Sequence, residues 1–430
     1  MLPQLRELEQ QFHDELVVVG VHSGKFITER DTARIAEAAQ RLGVNHPVVN
    51  DRQFRVWRSY AVRAWPTIVV IDPRGYVLGQ HAGEFTAETV ASALREIIAG
   101  AGDALQRGEW HHADAPPRDA SALRYPGKVA VDGDRIAIAD SGNDRVVVGT
   151  LTGPAAVRVD AVFGGSRGWR DGAEPLFDYP QGLLFEGDTL LVADAGNHVI
   201  RAIDLRGRAV RTVAGTGQQL RTRADLAAGA LSSPWDLAKL GDRVAIAMAG
   251  NHRLYLLDRS AGRAAPFAGS GAEELVDGAL MQAALAQPMG ICAADERFYF
   301  ADSESSAIRW ADPSTSAVGT LVGTGLFDFG DVDGEGDAVR LQHPQAVLPM
   351  RDGRLLLADS YNDALKWLDP RTRRVTTWVR GLHEPSGLAA GDGVVYVADT
   401  DSHRVVAIDG ETRVVTPLAL DWSAAGAARR

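Results

Sequence analysis

The sequence predicts a multidomain protein, with an incomplete α/β domain first and an all-β propeller of six blades after it. Two repeated markers predict the propeller. At six positions a proline opens a short apolar run, and a turn follows about fourteen residues later. The prolines are Pro126, Pro180, Pro234, Pro288, Pro344 and Pro385, at intervals of 54, 54, 54, 56 and 41 residues.

The turns keep the same period as the prolines. Their intervals are 54, 54, 54, 57 and 40 residues. Repeats of this length that are built from short strands are typical of β-propeller blades. The turns contain Asp140, Asp194, Met248, Asp302, Asp359 and Asp399.

Each repeat contains four short apolar runs, as the unit that starts at Pro180 illustrates. Residues 182–185 form the first run, and residues 190–194 lead into the turn. Residues 199–203 and 210–214 supply a third and a fourth run. Four strands per repeat match one propeller blade.

The first hundred residues have the pattern of an α/β domain. Apolar residues at helical spacing predict a helix from Leu2, and residues 16–21 read as a buried strand of a parallel sheet. Residues 32–42 predict a helix with Asp31 as its N-cap. A second buried strand is expected at residues 67–71.

The rest of this domain reads as a hairpin and a helix. Asp-Pro-Arg-Gly at 72–75 is a turn sequence, so residues 76–80 should return antiparallel to the preceding strand. A final helix is predicted over 86–98. The sequence thus divides into a domain at 1–100, a linker at 101–124, a propeller at 125–422 and a tail at 423–430.

The composition argues against several classes of function and of site. The formal charge of -11 argues against a nucleic-acid binder, because phosphate contacts need a basic face. Cys292 is the one cysteine, so it can form neither an intrachain disulfide nor a Cys-only metal site. No apolar stretch is long enough to cross a bilayer, and no signal-peptide pattern opens the chain. We therefore predict a cytoplasmic protein that has no membrane contact and no cofactor.

The N-terminal domain resembles the thioredoxin-like family in residues 61–67 and in the turn at 72–75. In that family the proline before the third strand is cis and faces the redox centre. The resemblance implies a substrate-facing cis-proline loop formed by Trp65, Pro66 and Thr67.

The family's first strand and its Cys-x-x-Cys motif would lie before Leu2. The resemblance therefore implies an N-terminally shortened sequence in which two strands face a vacant central position. The alternative is a degenerate domain that replaces this strand in another way.

The repeated turns resemble the NHL repeat, in runs such as Asp140-Ser-Gly-Asn-Asp-Arg and Asp194-Ala-Gly-Asn-His. Together with the first domain, the chain resembles the NHL repeat-containing protein 2 family. Short polar side chains accept backbone hydrogen bonds in turns, so an aspartate that recurs in five of six blades indicates a structural role. These residues are Asp140, Asp194, Asp302, Asp359 and Asp399.

An acidic run at residues 331–337 is the main candidate for a cation. Alternating carboxylates can bind calcium, but Gln342 stands where an EF-hand loop needs Glu. A solvated loop is therefore the preferred interpretation, and calcium is the alternative.

Three functions follow from these observations. The first is binding or scaffolding of a protein partner or small ligand on the propeller loops, with no catalytic residue in this chain. The second is thiol–disulfide exchange, with a Cys-x-x-Cys motif upstream of the given start. The third is a calcium-dependent propeller lactonase or lyase. The set of residues expected at the channel is largely apolar or small, which disfavours this third function: Lys128, Leu183, Trp235, Met289, Ala346 and Gly387.

Overall fold

The computed structural model describes residues 1–83, 85–108 and 122–427. The chain divides into two compact units, Met1–Arg118 and Asp119–Arg430. We call the first unit the lobe and the second the propeller.

The lobe contains four helices and two small sheets within its described residues. Leu8 and Phe12 pack against Ala91 and Leu94 to form its core. Its elements are α1 (Leu2–Gln11), β1 (Gly20–His22), α2 (Thr32–Arg41), β2 (Val48–Asn50), α3 (Arg55–Ser59), β3 (Thr67–Ile71), β4 (Val77–Ala82) and α4 (Ala87–Ala101).

Several predictions for the lobe are confirmed. The Asp31 side chain caps α2 by accepting hydrogen bonds from the backbone of Ala33 and Arg34. β3 has the predicted bounds and pairs antiparallel with β4. β1 pairs parallel with β2.

The prediction of a buried strand at residues 16–21 is wrong. The strand β1 spans only Gly20–His22, and Val17, Val19 and Val21 are 56%, 52% and 43% exposed. β3 is only partly buried, and its Ile71 is 46% exposed. Among the described residues, β1 pairs with β2 alone and β3 with β4 alone, so no strand between them completes a larger sheet.

The propeller has six blades within residues 122–427, which confirms the predicted fold class. Each blade is an antiparallel sheet whose four main strands follow one another in sequence. The strands of the first three blades are β5 (Val129–Asp132), β6 (Arg135–Asp140), β7 (Arg145–Gly153), β8 (Ala156–Gly164), β9 (Pro180–Glu186), β10 (Thr189–Asp194), β11 (Val199–Asp204), β12 (Ala209–Ala214), β13 (Pro234–Leu240), β14 (Arg243–Met248), β15 (Arg253–Asp258) and β16 (Arg263–Ala268).

Blades four and five each gain a short fifth strand on the outer edge, and the short helix α5 (Arg223–Ala227) precedes blade three. The remaining strands are β17 (Gly278–Ala279), β18 (Pro288–Ala294), β19 (Arg297–Asp302), β20 (Ala307–Asp312), β21 (Ala317–Val322), β22 (Gly334–Glu335), β23 (Ala346–Pro349), β24 (Leu355–Asp359), β25 (Ala364–Asp369), β26 (Arg374–Arg380), β27 (Pro385–Gly391), β28 (Val394–Asp399), β29 (Arg404–Asp409) and β30 (Val415–Pro417).

The C-terminal segment closes the ring. β31 (Ala419–Asp421) pairs parallel with the outer strand of blade one, and α6 (Ser423–Ala427) follows it. The Trp422 ring lies 5.1 Å from the Arg145 guanidinium of blade one. Six hydrophobic clusters fill the interfaces between neighbouring blades, so the apolar core of the propeller is distributed around the ring.

A hydrogen bond of one kind joins every blade to the next. The residue that ends each NHL turn has a left-handed backbone, and its side chain accepts the backbone N–H of the residue before the next proline. The donor–acceptor distances are 3.0–3.2 Å. The acceptor–donor pairs are Asp144–Tyr179, His198–Ser233, His252–Gln287, Ser306–His343, Asp363–Glu384 and His403–Tyr125.

Candidate functional site

The five repeated aspartates lie inside the turns and are fully buried. One carboxylate oxygen of each accepts the backbone N–H of the residue two before the proline of the same blade, at 2.5–2.9 Å. In blade three the sulfur of Met248 takes this place, 3.3 Å from the Ser232 nitrogen. Each aspartate therefore fastens the start of the inner strand to the turn.

The second oxygen of each aspartate binds a cation of its own blade. The ion pairs are Asp140–Arg145, Asp194–Arg201, Asp302–Arg309, Asp359–Lys366 and Asp399–Arg404. Burial raises the pKa of Asp194 to about 7, and the charge of Arg201 opposes this change. Tyr255 stands in blade three where Arg201 and Arg309 stand in blades two and four, and its hydroxyl accepts from Asn251. Blade three thus replaces both members of the pair.

A third group extends this network in blades two, four and five. Asp171, Asp277 and Asp333 accept hydrogen bonds from the threonines of the outer strands, and they also contact the buried cations. Blade three has Pro266 where the outer strands of blades two, four and five have threonine, and proline has no N–H to donate.

The acidic run at 331–337 lies at the exposed surface, in agreement with the preferred interpretation of a solvated loop, and cationic side chains pair with its carboxylates. Asp331 binds Lys366 and Arg380, and Asp337 binds Arg373. Cationic side chains therefore occupy the oxygens that a calcium ion would need.

A cavity of about 830 Å³ lies along the inner strands of the six blades. Its lining follows blade one from Lys128 to Asp132 and blade three from Asp236 to Lys239. Its walls include Leu184, Ala238, Val347, Leu388 and other apolar side chains. The volume is in the usual range for small-molecule sites.

Lys128 and Asp236 form an ion pair at one end of this cavity. The Lys128 Nζ lies 3.4 Å from Asp236 Oδ2 and donates a hydrogen bond of 2.6 Å to the carbonyl of Gln345 in blade five. Asp236 also accepts the backbone N–H groups of Leu237 and Ile291. Burial lowers the pKa of Lys128 and raises that of Asp236, and the attraction between the two charges opposes both changes.

The pair occupies positions that other blades reserve for glycine. The second residue after each proline is Gly182, Gly290 or Gly387 in blades two, four and six. A Cβ atom at Gly182 would lie 2.5 Å from the Asp236 Cα, and one at Gly387 would lie 2.7 Å from the Lys128 Cα. Side chains fit at this position only in blades one, three and five.

Sequence reasoning named Lys128 but missed Asp236, because the expected channel residue of blade three was taken one position too early, at Trp235. Lys128, Leu183 and Ala346 do line the cavity. Trp235, Met289 and Gly387 are not among the lining residues, so their placement was wrong. Alignment of the six segments that start at the repeated prolines would have shown Lys128 and Asp236 as departures from the repeat.

The cis-proline loop lies in the lobe. The Trp65–Pro66 peptide bond is cis, and Thr67 begins β3. Trp65 is 46% exposed and donates its indole N–H to the Ser23 carbonyl at 2.8 Å. Its ring centroid lies 4.5 Å from that of Trp57. The loop therefore presents an aromatic surface beside the start of β3.

Cys292 lies in the propeller, in the inner strand of blade four. It is 7% exposed, and burial, together with the charge of Asp236, raises the pKa of its thiol. Such a thiol is a poor nucleophile.

Among residues 1–83, 85–108 and 122–427, no three His, Cys, Asp or Glu side chains are grouped to hold a metal ion. Over the same residues, no helix is both long enough and apolar enough to cross a membrane.

Known proteins match both parts of the chain. A family model described as thioredoxin-like matches residues 1–77, and one described as NHL repeat matches residues 382–408. The human protein named NHL repeat-containing protein 2 is 35% identical over 480 residues, which cover 97% of this chain and 65% of that protein. Protein SUPPRESSOR OF QUENCHING 1, chloroplastic, of Arabidopsis thaliana is 36% identical over 472 residues, covering 98% of this chain and 44% of its own.

A nidogen/laminin complex is among the similar solved structures, with a TM-score of 0.47 and 14% identity over 64% of this chain and 90% of that one. The present chain spans 65% of the length of its human relative and a smaller share of the Arabidopsis protein. The chain is thus a homologue of proteins named NHL repeat-containing protein 2, and it combines a thioredoxin-like domain with a propeller of NHL repeats.

Proposed function

We propose that the chain is a binding protein whose propeller takes a small ligand into the cavity along its inner strands. The observation that carries this proposal is the Lys128–Asp236 pair, which departs from the repeat at the cavity wall. Features needed in every blade recur, as the turn aspartates do. A pair of opposite charges that occurs once and lies in a cavity is better explained by recognition.

The scaffold suits this function because it holds the cavity in one shape. Six interblade hydrogen bonds and six apolar clusters fix the inner strands that form the wall. A preformed site loses less conformational entropy when a ligand binds. Binding in the cavity therefore needs no rearrangement of the blades.

A cavity-filling variant tests the proposal. Ala390 lines the cavity and is exposed to it, whereas the exposed Ala261 is not among the lining residues. We expect Ala390→Trp to block binding and Ala261→Trp to preserve it. In a thermal-shift screen of small molecules, a ligand at about 100 times its Kd should raise the Tm of the wild type and of Ala261→Trp by roughly 5 °C.

The same ligand should leave the Tm of Ala390→Trp unchanged. If every stabilising compound raises the Tm of Ala390→Trp as much as that of the wild type, the cavity is not the binding site.

We also propose that these 430 residues do not catalyse thiol–disulfide exchange. Their single thiol is buried, and the second candidate function would need cysteines from outside this sequence. The chain should not accelerate the reduction of insulin disulfides by dithiothreitol. Turnover that disappears in Cys292→Ser would contradict this part of the proposal.

Partners and location are proposals of the same kind. The net charge of -11 favours a small ligand or a protein partner on the propeller loops over nucleic acid or an anionic membrane surface. We propose a cytoplasmic location as the default for a chain with one cysteine, although one relative is named as chloroplastic.

A further inference from the structure

We infer that the cavity selects an uncharged ligand with an amide head group, which contacts Lys128 and Asp236 together. This inference rests on the proposed function, since it names the class of ligand for the same cavity. The pair offers one donor and one acceptor at the cavity wall, and an amide carries the matching acceptor and donor on adjacent atoms.

Both charged groups have hydrogen-bonding capacity left. An ammonium has three donors, and the partners of Lys128 Nζ among the described residues are the Gln345 carbonyl at 2.6 Å and Asp236 at 3.4 Å. The second distance is longer than the 2.7–2.9 Å of a charge-assisted hydrogen bond. A ligand oxygen can therefore accept from Lys128 without displacing the Gln345 contact.

Asp236 is the more accessible member of the pair. Its side chain is 16% exposed, whereas that of Lys128 is 4% exposed. Two backbone N–H groups bind the carboxylate, one to each oxygen, and each oxygen can accept more than one hydrogen bond. A ligand N–H can therefore donate to Asp236 from the cavity.

The charge balance of the site favours a neutral head group. The opposite charges of Lys128 and Asp236 compensate each other, so an ionic ligand would add an uncompensated charge to a poorly hydrated place. The charged side chains of the whole lining are also nearly balanced, with four cationic and five acidic residues. A carboxylate or an ammonium group on the ligand thus gains little binding free energy from Lys128 or Asp236.

The apolar walls of the cavity favour a ligand whose remaining part is apolar. Leu184, Ala238, Val347 and Leu388 line the cavity further along the inner strands than the pair, and their side chains are apolar. Ala346 provides the third non-glycine position next to the pair, and its small side chain leaves room for a flat group. An aromatic or aliphatic amide fits this combination.

Three probes with the same ring test the head group. Benzamide, benzoate and benzylammonium differ chiefly in head-group charge, and their Kd values for the full chain can be measured by ligand-detected NMR titration. We expect benzamide to bind about tenfold more tightly than either ion, since it alone pairs with both charges. Benzoate or benzylammonium binding as tightly as benzamide would overturn the inference.

A charge-changing variant sharpens the test. Asp236→Asn keeps the shape of the side chain but leaves Lys128 as the uncompensated charge, so benzoate should become the tightest of the three probes. If the three probes keep the same order of affinities in this variant, the pair does not select the head group of the ligand. The double variant Lys128→Met/Asp236→Leu removes both charges together, which protects the fold, and it should lose the preference for benzamide.

Failure of this inference is distinguishable from failure of the proposed function. If other ligands bind the wild type and lose binding in Ala390→Trp, while the amide shows no preference, the cavity binds ligands of another class. If no ligand is sensitive to Ala390→Trp, the cavity itself is not a binding site.

Discussion

The lobe and the propeller differ in how they treat apolar surface and strand edges. Twelve large hydrophobic side chains are exposed in the 107 described residues of the lobe, against seven in the propeller residues 122–427. The propeller pairs each inner strand and caps several outer edges with extra strands, including β31. In the lobe, β1 and β3 each have a partner on one side only among the described residues. The propeller thus leaves less apolar surface and fewer strand edges unpaired than the lobe does, which makes it the more suitable framework for recognition.

Within the propeller, blade three offers a second comparison. Blades two, four and five fasten their turns with buried ion pairs, whereas blade three uses Met248 and Tyr255. The exchange shows that the network is replaced as a unit, since Pro266 also replaces the outer threonine. Buried ion pairs and apolar groups of similar size can give comparable stability. Removal of one partner alone is destabilising, because it leaves the other charge buried and uncompensated.

The largest effect is expected at Arg309. Its guanidinium is fully buried, and all five of its N–H donors have acceptors, one of which is Asp302. Arg309→Tyr leaves the Asp302 carboxylate buried without its cation, so the free energy of unfolding should fall by about 3–5 kcal/mol. Urea unfolding of the propeller, followed by tryptophan fluorescence, measures this change.

The double variant Asp302→Met/Arg309→Tyr copies blade three into blade four and should recover at least half of that loss. Arg374→Ala, at an exposed ion pair with Glu335, is the matched control and should change stability by less than about 1 kcal/mol. A double variant less stable than Arg309→Tyr would contradict the view that the network is exchanged as a unit.

A smaller effect is expected on acidification. His198 accepts the Ser233 N–H through Nδ1, and burial lowers the pKa of its imidazole to about 4. The unfolded chain binds this proton near pH 6.5, so the stabilisation is present above pH 6.5 and is lost as the pH falls towards 4. The loss should reach up to about 3 kcal/mol.

His198→Asn keeps an acceptor that does not titrate in this range. Its unfolding free energy should therefore depend less on pH than that of the wild type between pH 6.5 and 4. Parallel pH profiles for the two proteins would contradict the role assigned to the imidazole.

The closing strand gives a moderate effect. Removal of residues 419–430 deletes β31 and takes Trp422 away from Arg145. The exposed apolar surface should lower propeller stability by about 2 kcal/mol. Leu420→Val keeps the strand and should behave like the wild type in the same urea titration. Equal stability of the truncated and full-length chains would mean that blade one holds its outer edge without β31.

The smallest effect is expected at the cis-proline loop. Trp65→Phe keeps an aromatic ring but removes the hydrogen bond to the Ser23 carbonyl. Hydrogen exchange in the lobe should report a loss of about 1 kcal/mol, with no change in the propeller. Faster exchange in the inner strands of the blades would contradict the expectation that this substitution destabilises the lobe alone.

The repeat made most of the propeller predictable. Proline starts an inner strand without leaving a donor unpaired, and the turn aspartate returns at a fixed distance, so sequence spacing alone reveals the blades. The pairing of Asp302 with Arg309, by contrast, joins residues whose association depends on how β19 and β20 align. Spacing without register could not identify it.

The errors have a common cause as well. The apolar run at 16–21 matched a buried strand, but burial depends on neighbours that a local pattern does not contain. Lys128 and Asp236 belong to blades one and three and meet only when the ring closes. Local sequence therefore predicts elements, while the site arises from closure of the ring.

The most direct measurement is hydrogen–deuterium exchange of the full chain, with and without a ligand that raises the Tm of the wild type but not of Ala390→Trp. We predict slower exchange in the peptides that contain Lys128 and Asp236 and unchanged exchange across residues 60–71 of the lobe. Protection confined to the lobe, with none in the inner strands, would contradict the assignment of binding to the propeller cavity.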